Sequence, residues 1–171
     1  YVMKACSLVL KDYEKINSSL AEDGHSIILK SYINIGFAAD TENGLVVPVI
    51  KDVDKKSLIE IAEELLRLSV KARAGKLSSG EMQGATFTIS SLGGIGGTAF
   101  TPIINAPEVA ILGLSRSSTQ PVWNGSEFEP KLMLPLSFSY DHRVIDGAYA
   151  VRFTTALCDA LKKAKNLSKK A

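Results

Sequence analysis

The sequence predicts an α+β domain, a mixed β-sheet with helices packed against it. Three observations point there. Segments with helical spacing stand at the start, in the middle and at the end of the chain, and short β-branched or aromatic runs bounded by turn formers fill the intervals. No internal repeat or low-complexity linker divides the chain. Its 171 residues are 46% hydrophobic and 22% charged, enough for one domain with a sizeable core.

"VMKACSLVLKDYEKI" sets Val2, Cys6, Val9, Leu10 and Tyr13 at helical spacing and predicts an amphipathic helix to Ile16. "NSSLAEDGHS" breaks it with turn formers, and "IILKSYINIGFAAD" reads as extended. Asn43-Gly44 is a hairpin signal. "LVVPVI" is a short buried strand in which Pro48 predicts an edge or a bulge. Ser57 with Glu60 forms a capping box. It opens a helix whose face is Leu58, Ile61, Leu65 and Leu68, and Gly75 stops it. "SSGEMQG" is a short helical turn, "ATFTISSL" a strand, "GGIGG" a loop and "EVAILGLS" a buried strand. Asn124-Gly125 marks a second hairpin turn. "KLMLPLSFSY" reads as one long strand, and the closing helix carries Ala150, Phe153, Leu157 and Leu161 on one stripe.

The net charge of +2 gives no field that would recruit nucleic acid or an anionic membrane. No apolar run approaches the roughly 20 residues of a membrane span, and no signal peptide is visible. Cys6 and Cys158 lie among apolar residues at helical spacing. They read as buried free thiols of a cytosolic protein, with a disulfide as the alternative. The lysine-rich tail reads as a solvated terminus. The start at Tyr1, without an initiator Met, reads as a fragment of a longer polypeptide.

His25 and His142 are too few for a three-histidine metal site, and no metal is expected. "GGIGGTAF" lacks the spacing of a phosphate loop, and Pro102 interrupts any helix after it. No GxSxG nucleophile elbow occurs. One stretch remains: "SYDHRVIDG", residues 139–147, between an apolar run and the last helix. It reads either as a charged turn or as the seat of a base. An imidazole with an ordinary pKa of about 6.5 suits proton removal near neutral pH, and a strand end can open into a cleft.

"DHRVIDG", with "FTISSLGGIGGTAFTPIINAPEVAILG", "YINIGFAADTENGLVVPVIKDVDKKSL" and "GEMQG", resembles the catalytic domain of the dihydrolipoamide acyltransferases. These are core components of 2-oxo acid dehydrogenase complexes. The resemblance covers nearly the whole chain, and the "TISSLGGIGG" variant is most similar to the acetyl-transferring members of bacterial pyruvate dehydrogenase complexes. It implies a chloramphenicol acetyltransferase-like fold, trimers with an active site at each interface, and a hollow core built from trimers. It implies coenzyme A and dihydrolipoamide as substrates, with the lipoyl group carried on another domain. The implied partners are the pyruvate dehydrogenase and dihydrolipoamide dehydrogenase components, and the implied compartment is the bacterial cytoplasm.

Carried onto this chain, the resemblance makes His142 the base that deprotonates the attacking thiol, and Ser90 the hydroxyl that stabilises the tetrahedral oxyanion. Without it, Ser90 reads as a strand hydroxyl bonded to the backbone. Asp146 takes an orienting role at a position where some relatives carry Asn, and Arg143 a structural one. Gly147 is expected to let the chain turn into the last helix. Gly93 and Gly94, with Gly96 and Gly97, are expected to shape the channel wall alongside Arg143. The whole chain, 1–171, is then a catalytic domain lacking an N-terminal arm and the lipoyl and subunit-binding domains. Leu167 is the candidate for joining trimers. Two other readings stay open: a structural core fragment without activity, and an acyltransferase with another acyl group or acceptor.

Overall fold

The computed structural model describes residues 1–163. The predicted lysine-rich tail beyond them, with Leu167, lies outside this description.

The centre is a five-stranded mixed sheet in the order β11-β8-β7-β3-β6. Its strands are β3 (Ile35–Phe37), β6 (Val49–Ile50), β7 (Phe87–Ser91), β8 (Ala110–Leu114) and β11 (Leu136–Tyr140). β7 runs parallel to both neighbours, β3 and β8, while the edge strands β6 and β11 run antiparallel to theirs. Although it lies between two parallel partners, β7 alternates, with Phe87 and Ile89 on one face and Thr88 and Ser90 on the other. Three two-stranded ribbons surround the sheet. They pair β1 (Ser18–Leu20) with β2 (Ile27–Leu29), β4 (Ala39–Thr41) with β5 (Gly44–Val46), and β9 (Ser118–Trp123) with β10 (Phe128–Met133).

Side chains alternate across each strand, so the central sheet has two unlike faces. One is apolar. Phe87 and Phe138 stack on it with ring centroids 6.4 Å apart, and both meet Phe153 of the last helix, at 6.0 and 5.0 Å. Phe87 and Phe153 are fully buried, a burial worth about 1.5–3 kcal/mol for each ring. The helices α1 (Val2–Val9) and α3 (Gly147–Lys162) pack together, and α1 also touches α2 (Leu58–Arg73). The opposite face carries Thr88 and Ser90 on β7 and Ser137 and Ser139 on β11. Here Gly113 matters: a Cβ on it would lie 2.8 Å from the Phe100 ring and 3.2 Å from Pro102. The loop between β7 and β8 therefore lies flat on the sheet.

Most predicted elements are present, with their extents corrected. α2 opens on the capping box, Ser57 accepting from the Glu60 amide and Glu60 from the Ser57 amide. Gly75, with φ of 65°, follows its end. The first helix stops at Val9 and tightens into a 3₁₀ turn to Asp12, short of Ile16. Tertiary packing overrides the periodicity there: Tyr13 sets its ring against Tyr149 and Phe153, and its hydroxyl donates to the Arg152 carbonyl. Ser18–Leu20, read as part of a turn, is a strand, because β2 supplies a partner. "IILKSYINIGFAAD" divides into β2, β3 and β4, which belong to three different sheets. Pro48 separates β5 from the edge strand β6, and Pro135 separates β10 from β11. Both prolines lack the amide that a continuous strand would use. Cys6 is buried, which pushes its thiol up to about 12, but Cys158 is exposed on α3, against expectation. Its place is one residue past the stripe of Ala150, Phe153 and Leu157 that the helix buries.

Candidate functional site

The turn after β11 is fixed at both ends. Before it, the Asp141 amide donates to the Val109 carbonyl of the strand-end pair at 2.8 Å. Within it, the amides of Val144 and Ile145 both donate to the Asp141 carbonyl at 3.0 Å. Ile145 is completely buried and anchors the far side. Asp146 then caps α3, its Oδ1 accepting from the Tyr149 amide at 2.9 Å. His142 is thus an exposed side chain on a rigid turn, with its ring centroid 5.7 Å from that of Tyr140.

The electrostatics of the turn are local. Arg143 forks onto Asp141, Nε to Oδ1 at 3.0 Å and Nη2 to Oδ2 at 2.6 Å, and the Arg143 amide also donates to Oδ1. The guanidinium holds the Asp141 carboxyl below the usual carboxylate range. The Tyr149 amide does the same for Asp146. Arg143 is therefore engaged in closing the turn. Gly147 begins α3 without a positive φ, and a Cβ there would meet only Tyr140 Oη at 3.6 Å. The turn into the helix does not require a glycine, contrary to expectation.

Ser90 is half-buried on β7 and level with Gly113, which is level with Ser137 of β11. Two strand spacings of about 4.8 Å separate Ser90 from Ser137. Tyr140 lies three residues further along β11, and His142 two beyond that. The backbones of Ser90 and His142 in one chain are therefore on the order of 15–20 Å apart, beyond the reach of their side chains. Gly93 and Gly94 follow β7, whose C-terminal end is level with the start of β11. They lie at the end of the sheet opposite His142 and Arg143, so one chain does not bring the expected channel residues together. Of the loop glycines, Gly96 and Gly97 hold positive φ, 144° and 85°. A 410 Å³ apolar cavity lined by Val2, Phe37, Ile61 and Leu114 among others also lies at the Ser91 end, away from His142. Among the described residues no cluster of three His, Cys, Asp or Glu side chains could hold a metal.

Sequence reasoning missed two carboxylates. Asp141 shapes the turn, and the signal was its place two residues before Arg143. Glu108 is buried beside β7, and the signal was a lone charge in front of an apolar run.

The family 2-oxoacid dehydrogenases acyltransferase (catalytic domain) matches residues 1–168. The dihydrolipoyllysine-residue acetyltransferase component of the pyruvate dehydrogenase complex of Azotobacter vinelandii is 62% identical over 160 residues, 94% of this chain. This chain spans a quarter of that protein's length, 25%. A structure of the cubic core of the pyruvate dehydrogenase multienzyme complex superimposes with a TM-score of 0.95 at 60% identity, covering 97% of this chain and 68% of that one. A structure of the A. vinelandii dihydrolipoamide acetyltransferase, concerned with the role of a serine, a histidine and an asparagine in its catalytic mechanism, gives 0.95 at 59% identity over the same shares. Chloramphenicol acetyltransferase, at 14% identity and a TM-score of 0.58 over 94% of this chain and 75% of its own, shares the fold. A match along nearly the whole length, with the same architecture, shows that the chain belongs to the 2-oxoacid dehydrogenases acyltransferase (catalytic domain) family.

Proposed function

We propose that residues 1–171 form a catalytic domain that moves an acetyl group between S-acetyldihydrolipoamide and coenzyme A, as part of a pyruvate dehydrogenase complex. The observation that carries this is a spacing. In the A. vinelandii acetyltransferase the histidine stands 52 positions after the serine, and the asparagine four after the histidine. Ser90, His142 and Asp146 repeat those intervals, with aspartate in the last place.

A free thiol with a pKa near 8.5 is only a few per cent thiolate at neutral pH, so a positioned base helps. His142 takes the thiol proton as sulfur attacks the thioester carbonyl. The new S–C bond forms, and the oxygen becomes an oxyanion that the Ser90 hydroxyl stabilises. The old C–S bond then breaks, and the leaving sulfur recovers the proton from His142. The base is worth about 10²–10⁴ in rate and the hydroxyl about 10²–10³. Asp146 acts on position, through the start of α3.

Because Ser90 and His142 of one chain are too far apart, each site needs His142 from one chain and Ser90 from another. A homotrimer provides that arrangement. The β9–β10 ribbon supports such an assembly, since Trp123, Phe128 and Leu132 are 55%, 68% and 75% exposed on a hairpin that has little else to pack against. The cubic core formed by a relative supports a higher-order hollow core here, with the pyruvate dehydrogenase and dihydrolipoamide dehydrogenase components as partners. No described helix is long and apolar enough to cross a membrane, and the relatives are bacterial, which supports a cytoplasmic site of action.

The test is acetyl transfer from acetyl-coenzyme A to dihydrolipoamide and to small hydroxyl acceptors. The wild type is expected to use the dithiol alone. His142→Ala should lose about 10²–10⁴ in rate with its fold intact. Near-normal turnover in that variant would overturn the assignment of the base, and preference for a hydroxyl would overturn the acceptor.

A further inference from the structure

Glu108 is 6% exposed and immediately precedes the buried run Val109–Leu112. Its Oε1 accepts two hydrogen bonds, from Thr88 Oγ1 at 2.9 Å and from Asn105 Nδ2 at 3.1 Å. Its Oε2 is buried with no partner among the described residues. Its backbone is held as well, the amide donating to the Asn105 carbonyl and the residue bridging to Ser19. The surroundings are uncharged: β7 presents Thr88, the preceding turn Asn105, and β1 Ser19. Asp141, whose amide bonds the neighbouring Val109 carbonyl, is paired with Arg143, and His142 is exposed. A buried carboxylate without a cation takes up a proton in preference to keeping its charge. Burial accordingly pushes the Glu108 carboxyl up to about 7. Both donors engage Oε1, which leaves Oε2 to carry the proton.

The position of this group gives it reach. Thr88 lies two residues before Ser90 on β7, so the two side chains share a face. Val109, the residue after Glu108, accepts the hydrogen bond from Asp141 that sets the His142 turn. We propose that Glu108 is a positioning residue for acyl transfer, tying the strand that carries Ser90 to the strand end against which the His142 turn is built. This role rests on the acyl-transfer reading above. It serves two sites at once, since the Ser90 and the His142 that one Glu108 steadies belong to different active sites. Ionisation would leave an unpaired charge on Oε2 inside the tie and loosen it.

The linkage follows from the raised value. Well below the ordinary glutamate range, folded and unfolded chains both hold the proton. As pH rises, the unfolded chain gives it up first, and the stability difference is lost progressively until about 7, where the folded chain gives it up too. Glu108→Gln keeps an acceptor for Thr88 and Asn105, puts an amide where the protonated oxygen stood, and removes the titration. The melting temperatures of wild type and Glu108→Gln, followed across this range, are expected to diverge as pH rises and then run parallel above about 7. At neutral pH Glu108→Gln should retain kcat within a few-fold. Glu108→Ala should lose about ten- to a hundredfold in kcat with KM for coenzyme A little changed. Parallel melting curves throughout would overturn the neutral carboxyl. A Glu108→Gln variant as impaired as Glu108→Ala, or a Glu108→Ala variant with full kcat, would overturn the positioning role. A wild type without transfer activity overturns the reaction reading and the role in it, while the melting curves still report the neutral tie independently.

Discussion

Asp146 caps a helix and, in the proposed reaction, serves the site through that cap. Its carboxylate caps the first turn of α3, and the helix start fixes the turn that presents His142. Asparagine is as good an N-cap as aspartate, whereas alanine is poor. Asp146→Asn should therefore keep α3 and most of the turnover, and Asp146→Ala should lower the melting temperature and turnover together. The Tyr149 amide holds this carboxyl below its ordinary value. Its contribution to stability is present above the ordinary carboxylate range and fades as pH falls through the lowered value. Asp146→Asn should lack that acid limb, and melting curves across acid pH check this; identical limbs would contradict the capping role. At this scale the sequence was most readable where interactions are local. Asp146 finds the Tyr149 amide three residues on and Asp141 finds Arg143 two residues on, so both signals were local, although the part played by Asp141 was missed. Glu108 was not readable, because its partner Thr88 is 20 positions away and only the folded sheet brings them together.

The helices and strands differ in how far sequence alone foretells them. α2 was legible from its capping box and its stripe of Ile61 and Leu68, since a helix closes its own hydrogen bonds. Strands need a partner chosen elsewhere in the chain, so "IILKSYINIGFAAD" could not reveal that it serves three sheets. Elsewhere prolines marked the breaks, Pro48 between β5 and β6 and Pro135 between β10 and β11, and only Pro48 was used. The energetic weight of the elements follows their burial. Phe153 is fully buried and meets Tyr13, Phe87 and Phe138, joining α3, the sheet and the first helical segment. Phe153→Ala should cost about 3–5 kcal/mol. Ser57→Ala, which removes half of the capping box on the partly exposed start of α2, should cost about 0.5–2 kcal/mol. Chemical denaturation of the two variants checks the order, and a smaller cost for Phe153→Ala would contradict the placement of the core.

At the scale of the molecule, the sheet register carries the argument. It puts Ser90 near the C-terminal end of β7 and His142 beyond the end of β11, at a separation no side chain spans. The fold and the candidate residues were legible from the sequence, the latter through family resemblance. The distance between them was not, because strand order and register are long-range properties. The most direct measurement is subunit complementation by co-expression of Ser90→Ala and His142→Ala chains. Each variant alone should be nearly inactive in acetyl transfer. In mixed trimers, an interface that joins the intact His142 of one chain to the intact Ser90 of another is whole, and random assembly makes about a quarter of the sites so. Recovery of activity toward that level is the predicted result. Mixed trimers that form and remain as inactive as either parent would contradict a site shared between chains.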